Sequence, residues 1–214
     1  MPATVAPVRL SPERLGEAAA VLGRAVVDDP LFVYLLPGAE QRVSGVFPMM
    51  EMFLRLGLAH GEVWVTPPPI AGVACWLSPA HLTITAEDRN AAGWSGVGAA
   101  WGLEAVDRFQ AFIGDRDSAV GSLAPEPHWH LTWLGVEPGH QGQGIGSTLV
   151  RQMTTRADAE GMACWLFTFV PRNVPIYEHL GFHLTLDTNL PSSGLRLWVM
   201  AHPPHVQHED GCDD

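Results

Sequence analysis

The spacing of apolar positions changes twice in the second half of the chain, and each change predicts an element. His128 to Val136 alternates as a strand and ends at the turn Glu137-Pro138-Gly139. From there Ile145, Leu149, Met153 and Ala157 recur every four residues, with Val150 beside them. That pattern predicts an amphipathic helix closed by Gly161. Ala163 to Val170 is almost continuously apolar, as a strand buried on both faces requires. Strand, helix and buried strand together predict a right-handed crossover between two parallel strands. A short helix follows, with Asn173 as candidate cap and Pro175 in its first turn, ending at Leu180-Gly181. Strands near Phe182 to Leu186 and Leu195 to Met200 complete a sheet.

The first half is less regular. Val8 to Leu10 reads as a short strand, and Ser11-Pro12-Glu13 opens a helix that runs to about Val27, stopped by Asp28-Asp29-Pro30. A second helical segment over Ala39 to Gly57 has Val43, Val46, Phe47, Met50, Phe53 and Leu54 at helical spacing. Pro48 inside it predicts a kink or break. Glu62 to Val65 and Ile70 to Leu77 form an antiparallel pair across Thr66-Pro67-Pro68-Pro69. Residues 82 to 123, rich in small residues, predict one or two helices with Trp94, Trp101, Phe109 and Phe112.

Length and composition narrow the class. A chain of 214 residues that is 47% hydrophobic fits one domain, taken as residues 1–202, followed by an acidic, disordered tail at 203–214. No run reaches the ~18 apolar residues of a membrane helix, and no signal peptide is evident, so a cytoplasmic protein is expected. Twelve arginines and no lysine face 23 carboxylates, for a net charge of −11. Without a basic patch a nucleic-acid partner is not expected, and without lysine neither Walker-type phosphate binding nor Schiff-base chemistry is available. Cys75, Cys164 and Cys212 lie far apart, and the first two sit in apolar runs as small buried thiols. His202, His205, His208 and Cys212 lie in a tail with no rigid element to fix them as ligands, so no metal is expected.

Gln141-Gly142-Gln143-Gly144-Ile145-Gly146-Ser147 lies between the first parallel strand and the helix. Its glycines let the backbone approach an anion, and the helix N-terminus adds partial positive charge. Position 147 is serine, so the dinucleotide fingerprint G-x-G-x-x-G fails. The run Leu134-Gly135-Val136-Glu137-Pro138-Gly139-His140-Gln141-Gly142-Gln143-Gly144-Ile145-Gly146 resembles the acetyl-CoA signature of the GNAT N-acetyltransferase superfamily. Gln141, Gly144 and Gly146 occupy the places of its core Q/R-x-x-G-x-G/A. The superfamily's second signature is similar to Pro171-Arg172-Asn173-Val174-Pro175-Ile176-Tyr177-Glu178-His179-Leu180-Gly181-Phe182, in the right order and at the right separation. Within the superfamily, Phe53-Leu54-Arg55, Gly61-Glu62-Val63-Trp64-Val65, Pro171-Arg172-Asn173 and Trp198-Val199-Met200 most resemble the puromycin N-acetyltransferase branch. Residues 28 to 40 and 80 to 125 depart from it.

The resemblance implies an α/β (α+β) fold: a mixed, mostly antiparallel central sheet with two splayed parallel strands and flanking helices. It implies acetyl-CoA as co-substrate, its pantetheine held by the backbone of Leu134, Gly135 and Val136. Its pyrophosphate would lie on Gln141, Gly142, Gln143, Gly144, Ile145, Gly146 and Ser147. Asn173 matches a residue that contacts the pantetheine arm, alongside its reading as a helix cap. Tyr177 matches the tyrosine that protonates the departing thiolate. A thiol of pKa ~8.5 and a phenol of pKa ~10 are close enough for that transfer. From the residues alone Tyr177 also reads as a buried aromatic on a helix face.

An attacking amine must lose a proton. His130, on one strand face with His128 and Thr132, is the first candidate for base or water holder and equally reads as a core histidine; Glu104 and Asp107 are rivals. Asp28 and Asp29 sit at a helix C-terminus, unfavourably for the dipole, with Tyr34 in the same loop. That discord suits a cationic acceptor, or else a solvated loop. Trp133 could wall the acceptor pocket or serve as core. The expected activity is acetyl transfer to a small-molecule primary amine, antibiotic-like or aminoacyl, by direct attack in a ternary complex. Peptide or protein N-terminal acetylation and a non-catalytic CoA-binding module are the alternatives, and monomer or homodimer is left open.

Overall fold

The mixed sheet expected from the sequence is present in the computed structural model, which describes residues 6–121, 123 and 127–204. The chain enters through Val8–Arg9 (β1), a 3-10 turn at Pro12–Arg14, and the helices Leu15–Val26 (α1), Pro30–Leu35 (α2) and Ala39–His60 (α3). Gly61–Val65 (β2) and Gly72–Leu77 (β3) form the expected antiparallel pair. Three helices follow, Ala86–Ala91 (α4), Trp94–Trp101 (α5) and Leu103–Val120 (α6), where one or two were predicted. Then come Trp129–Val136 (β4), Ile145–Ala159 (α7), Cys164–Thr168 (β5), Val174–His179 (α8), His183–Asn189 (β6) and Arg196–His202 (β7).

These strands form a seven-stranded sheet in the order β1-β2-β3-β4-β5-β7-β6. Every neighbouring pair is antiparallel except β4 with β5. One face carries α1 to α3 with α5 and α6, around a core including Leu22, Phe32, Met49, Cys75 and Trp165. The other carries α7 and α8, around Trp76, Leu131, Met153, Phe182 and Met200. Cys75 and Cys164 are both buried free thiols; burial pushes each up to about 12, which keeps them inert.

Several local expectations are corrected. The loop after Asp29 is a helix: Pro30 sits at its first turn, and the Asp29 carboxylate accepts from Leu31 N at 2.9 Å as its cap. The break that Pro48 could have caused is absent: α3 runs unbroken over Ala39–His60, and the carbonyl left without a donor belongs to exposed Ser44, where water can reach. Asn173 is not a side-chain cap; its backbone is already helical and its amide turns elsewhere. His202, expected at the start of the tail, ends β7 and bridges Asp158 Oδ1 at 2.9 Å and the Gly181 carbonyl at 3.1 Å. Residues 205–214 of the expected tail, with His205, His208 and Cys212, lie outside the described residues. Among the described residues no cluster of His, Cys, Asp or Glu is arranged to hold a metal.

Candidate active site

The pairing of β4 with β5 stops early. Trp129, His130 and Leu131 pair with Cys164, Trp165 and Leu166, and from Thr132 onward the strands diverge while β4 stays paired to β3. Two features cause this. Cys75 pairs with Trp133 and Trp76 with Leu131, so Thr132 is a bulge residue that bends β4. On β5, the Thr168 hydroxyl accepts from Val170 N and from Asn173 Nδ2, each at 3.2 Å, and turns the chain away from β4. The resulting cleft of ≈ 60 Å³ is lined by residues 131–134 of β4, by Phe167, Thr168 and Phe169, and by Val26, Asp29, Asn173 and Tyr177. Two buried polar atoms in this wall, Thr132 Oγ1 and Trp133 Nε1, have no partner among the described residues. Leaving such groups unpaired costs ~1–3 kcal/mol each, so the cleft suits an occupant that can hydrogen-bond to them. A larger hollow of ≈ 290 Å³ between α4, α5 and α6, lined by Arg89, Trp94 and Phe109, includes none of the expected site residues.

At the far end of β4 lies the glycine loop. Gly142 and Gly144 take φ of 75° and 80°, the left-handed region where a side chain is strained. Among the described residues the main-chain N–H groups of Gly142 to Ser147 donate to no protein acceptor, and the first backbone bond of α7 comes from Thr148 N to the Gly144 carbonyl at 3.0 Å. Six consecutive amides therefore stand ready for an anion at the start of a 15-residue helix. The Gln141 side chain points back, donating to the Val136 carbonyl at 3.1 Å, and so ties the loop to the strand. Arg24 of α1 grips Glu137, just before the loop, with Nε and Nη2 each 2.8 Å from a carboxylate oxygen.

Charge in the cleft is sparse. Burial raises the Asp29 carboxyl to about 6, against the opposing effects of its bond from Leu31 and of nearby Arg172. Tyr177 is buried, and desolvation together with the Asp29 charge pushes its phenol well above the ordinary value. It is thus protonated at neutral pH. His130 lies outside the cleft lining, its ring 5.4 Å from Phe167 and 6.0 Å from His128. Burial, with His128 and Arg116 nearby, drops it to about 3, so it is neutral and a poor proton acceptor.

Comparison with known proteins shows the family. Residues 51–182 match the model of the acetyltransferase (GNAT) family. The chain belongs to the GNAT acetyltransferase family. It is 29% identical over 182 residues to an uncharacterized N-acetyltransferase of Schizosaccharomyces pombe, covering 78% of this chain and 69% of that one. A structure from Corynebacterium glutamicum, described as histone acetyltransferase HPA2 and related acetyltransferase, superposes with a TM-score of 0.68 at 20% identity, covering 94% of this chain and 97% of that one. Arylalkylamine N-acetyltransferase 2 of Aedes aegypti gives 0.58 at 11% identity, covering 92% and 97%. At such identities these structures attest the fold alone.

GNAT enzymes are acyltransferases that generally use acetyl-CoA as co-substrate. The diverging strands, the two orphan polar atoms and the six free amides fit an elongated thioester carrying a diphosphate. Leu134 lines the cleft. The Gly135 Cα packs on Leu22 and Ala25 of α1 so tightly that a Cβ would meet them at 2.8 and 2.9 Å. Asp29, Trp133, Asn173 and Tyr177 come together in the cleft. The bulge turns Trp133 onto the His130 face, where it stacks on Phe32 at 5.6 Å. Asp28 instead points to solvent and pairs with Arg42 at 3.3 Å. Tyr34 packs against the α1–α3 core, and Glu104 and Asp107 are exposed on α6; none of the three lines the cleft. Phe167 and Phe169, which sequence reading treated only as strand core, form much of the wall. No helix among the described residues is long and apolar enough to cross a membrane.

Proposed function

We propose that this GNAT enzyme transfers an acetyl group from acetyl-CoA to a primary amine of a small molecule, antibiotic-like or aminoacyl, with both substrates bound at once. Acetyl-CoA supplies the activated acyl group as a thioester. The observation that carries the reading is the wedge between β4 and β5 together with the unpaired amides of Gly142 to Ser147, which follow β4 in the chain. The amides of Gly142 to Ser147 hold the diphosphate, and the freed edge of β4 from Thr132 to Val136 holds the arm.

Forming the amide C–N bond and breaking the C–S bond requires one proton to leave the amine and one to reach sulfur. The Asp29 carboxylate takes the first, having a conjugate acid of about 6 in the cleft. Tyr177, which also lines the cleft, gives the second. The two are coupled: protonation of Asp29 removes the negative charge that holds the phenolic proton, so the first transfer eases the second. His130 keeps a structural place beside Phe167. Asn173, fixed on Thr168, orients the arm from the β5 side.

The test is thiol release from acetyl-CoA across a panel of primary amines. Turnover with small amines that falls ~100-fold in Tyr177→Phe supports the proposal. Undiminished turnover in that variant removes Tyr177 as the acid, and no turnover with any amine refutes the function.

A further inference from the structure

The reading of the cleft as the place where thioester and amine meet raises the question of what limits the acceptor, and α6 bears on it. This helix lies between β3 and β4. Arg108, Phe112, Asp115 and Arg116 fall at i, i+4, i+7 and i+8, one face of a helix. Each reaches a different part of the cleft's surroundings. Arg108 donates to the Leu35 carbonyl at the end of α2 through Nε at 3.1 Å and Nη2 at 2.8 Å. Phe112 is buried and meets Phe169 edge to face at 5.6 Å. Arg116 lies 5.7 Å from the Phe167 ring centre. Asp115 accepts from Ser192 N, in the turn between β6 and β7, at 2.6 Å.

We propose that α6 is the specificity-determining wall of this enzyme, restricting the acceptor to amines whose amine-bearing body is no larger than a single aminoacyl unit. Phe167 and Phe169 line the cleft, and the α6 face backs both rings while its two ends are tied to α2 and to the β6–β7 turn. An extended peptide would need a groove running out past these rings toward α2 or the turn, and that is where Arg108 and Asp115 anchor the helix. Beyond the edge of β4 that takes the arm, the side toward α6 is formed by the Phe167 and Phe169 rings, against which a compact alkyl or arylalkyl body can pack. Phe112 holds the position of Phe169; Asp115 fixes the helix end over it.

The inference rests on the amine-transfer reading, and one experiment separates the two. Specificity constants are measured for phenylalanine amide and for a tetrapeptide amide with N-terminal phenylalanine, in the wild type, in Phe112→Ala and in Asp115→Ala, which removes the acceptor for Ser192 N. The wild type is expected to favour the single residue by at least about tenfold, and both variants to narrow that ratio by about tenfold through a lower KM for the peptide. Asp115→Ala removes a half-buried anchor outside the cleft lining, so it answers even if Phe112→Ala unfolds. Equal use of both probes by the wild type, or a ratio unmoved in a folded Asp115→Ala, overturns the role of α6 and leaves amine transfer intact. No thiol release with any amine overturns both.

Discussion

At Asp29 one carboxyl carries two demands that oppose each other. It caps α2 through Leu31 N, and it sits in an apolar cleft that favours its protonated form, raising it to about 6. Its folded value exceeds the ordinary 3.8, so the stabilising effect of that raised value is complete below 3.8 and is lost as pH rises through 6. Asp29→Asn, which keeps an acceptor for the cap, should therefore raise Tm at pH 8 and leave it unchanged at pH 4. For activity the sign is reversed: kcat/KM should climb through about pH 6 in the wild type, and that limb should vanish in Asp29→Asn. Tyr177→Phe keeps the ring packed on Phe182 at 5.8 Å, so its loss should appear in kcat and not in Tm. Neither shift is legible from the sequence, because burial by distant segments sets both. The sequence identifies Tyr177 by its place in a motif, and it favours His130 for its solution pKa, a value that desolvation overrides.

Among elements, β4, α7 and β5 are the most legible, because their apolar periods differ and each persists through the whole element. The bulge at Thr132 is hidden, since it depends on which β3 residues lie opposite, and it decides that Trp133 faces the cleft. Asn173 reads as a cap by type, yet Thr168 captures its amide and β5 turns away from β4 as a result. Helix α2 is too short, at six residues, to display a period. The glycine loop is legible as a cradle, though only the structure reveals which glycines need a left-handed backbone. Gly144→Ala should cost ~1 kcal/mol of stability from the left-handed φ, and should weaken coenzyme A binding more than that cost explains. Gly57→Ala should lower Tm without that selective loss, since its Cβ would meet Cys75 Sγ at 2.5 Å and Val63 at 2.9 Å, on the α3 side of the sheet away from the loop.

On the scale of the whole molecule, the two halves of the site differ in how the chain builds them. The proposed co-substrate half comes from a nearly continuous stretch, 131 to 177, and so leaves a motif. The proposed acceptor half is assembled from α1–α2, the end of β5, α6 and the β6–β7 turn, which no local pattern connects. Arg24 and Glu137, 113 residues apart, join the halves beside the glycine loop. Arg24→Ala should leave a bare carboxylate next to the bound diphosphate and weaken coenzyme A binding at low salt, and Glu137→Gln in the same chain should restore it.

If a lysine-free loop grips a diphosphate through its main chain beside a gap in the sheet, the wild-type protein must bind coenzyme A without a basic side chain in that loop. In calorimetric titration with coenzyme A, one saturable site is expected, and it is lost in Gly144→Val. Wild-type protein that takes up no coenzyme A, or a Gly144→Val variant that stays folded and binds it as tightly, would rule out the main-chain cradle.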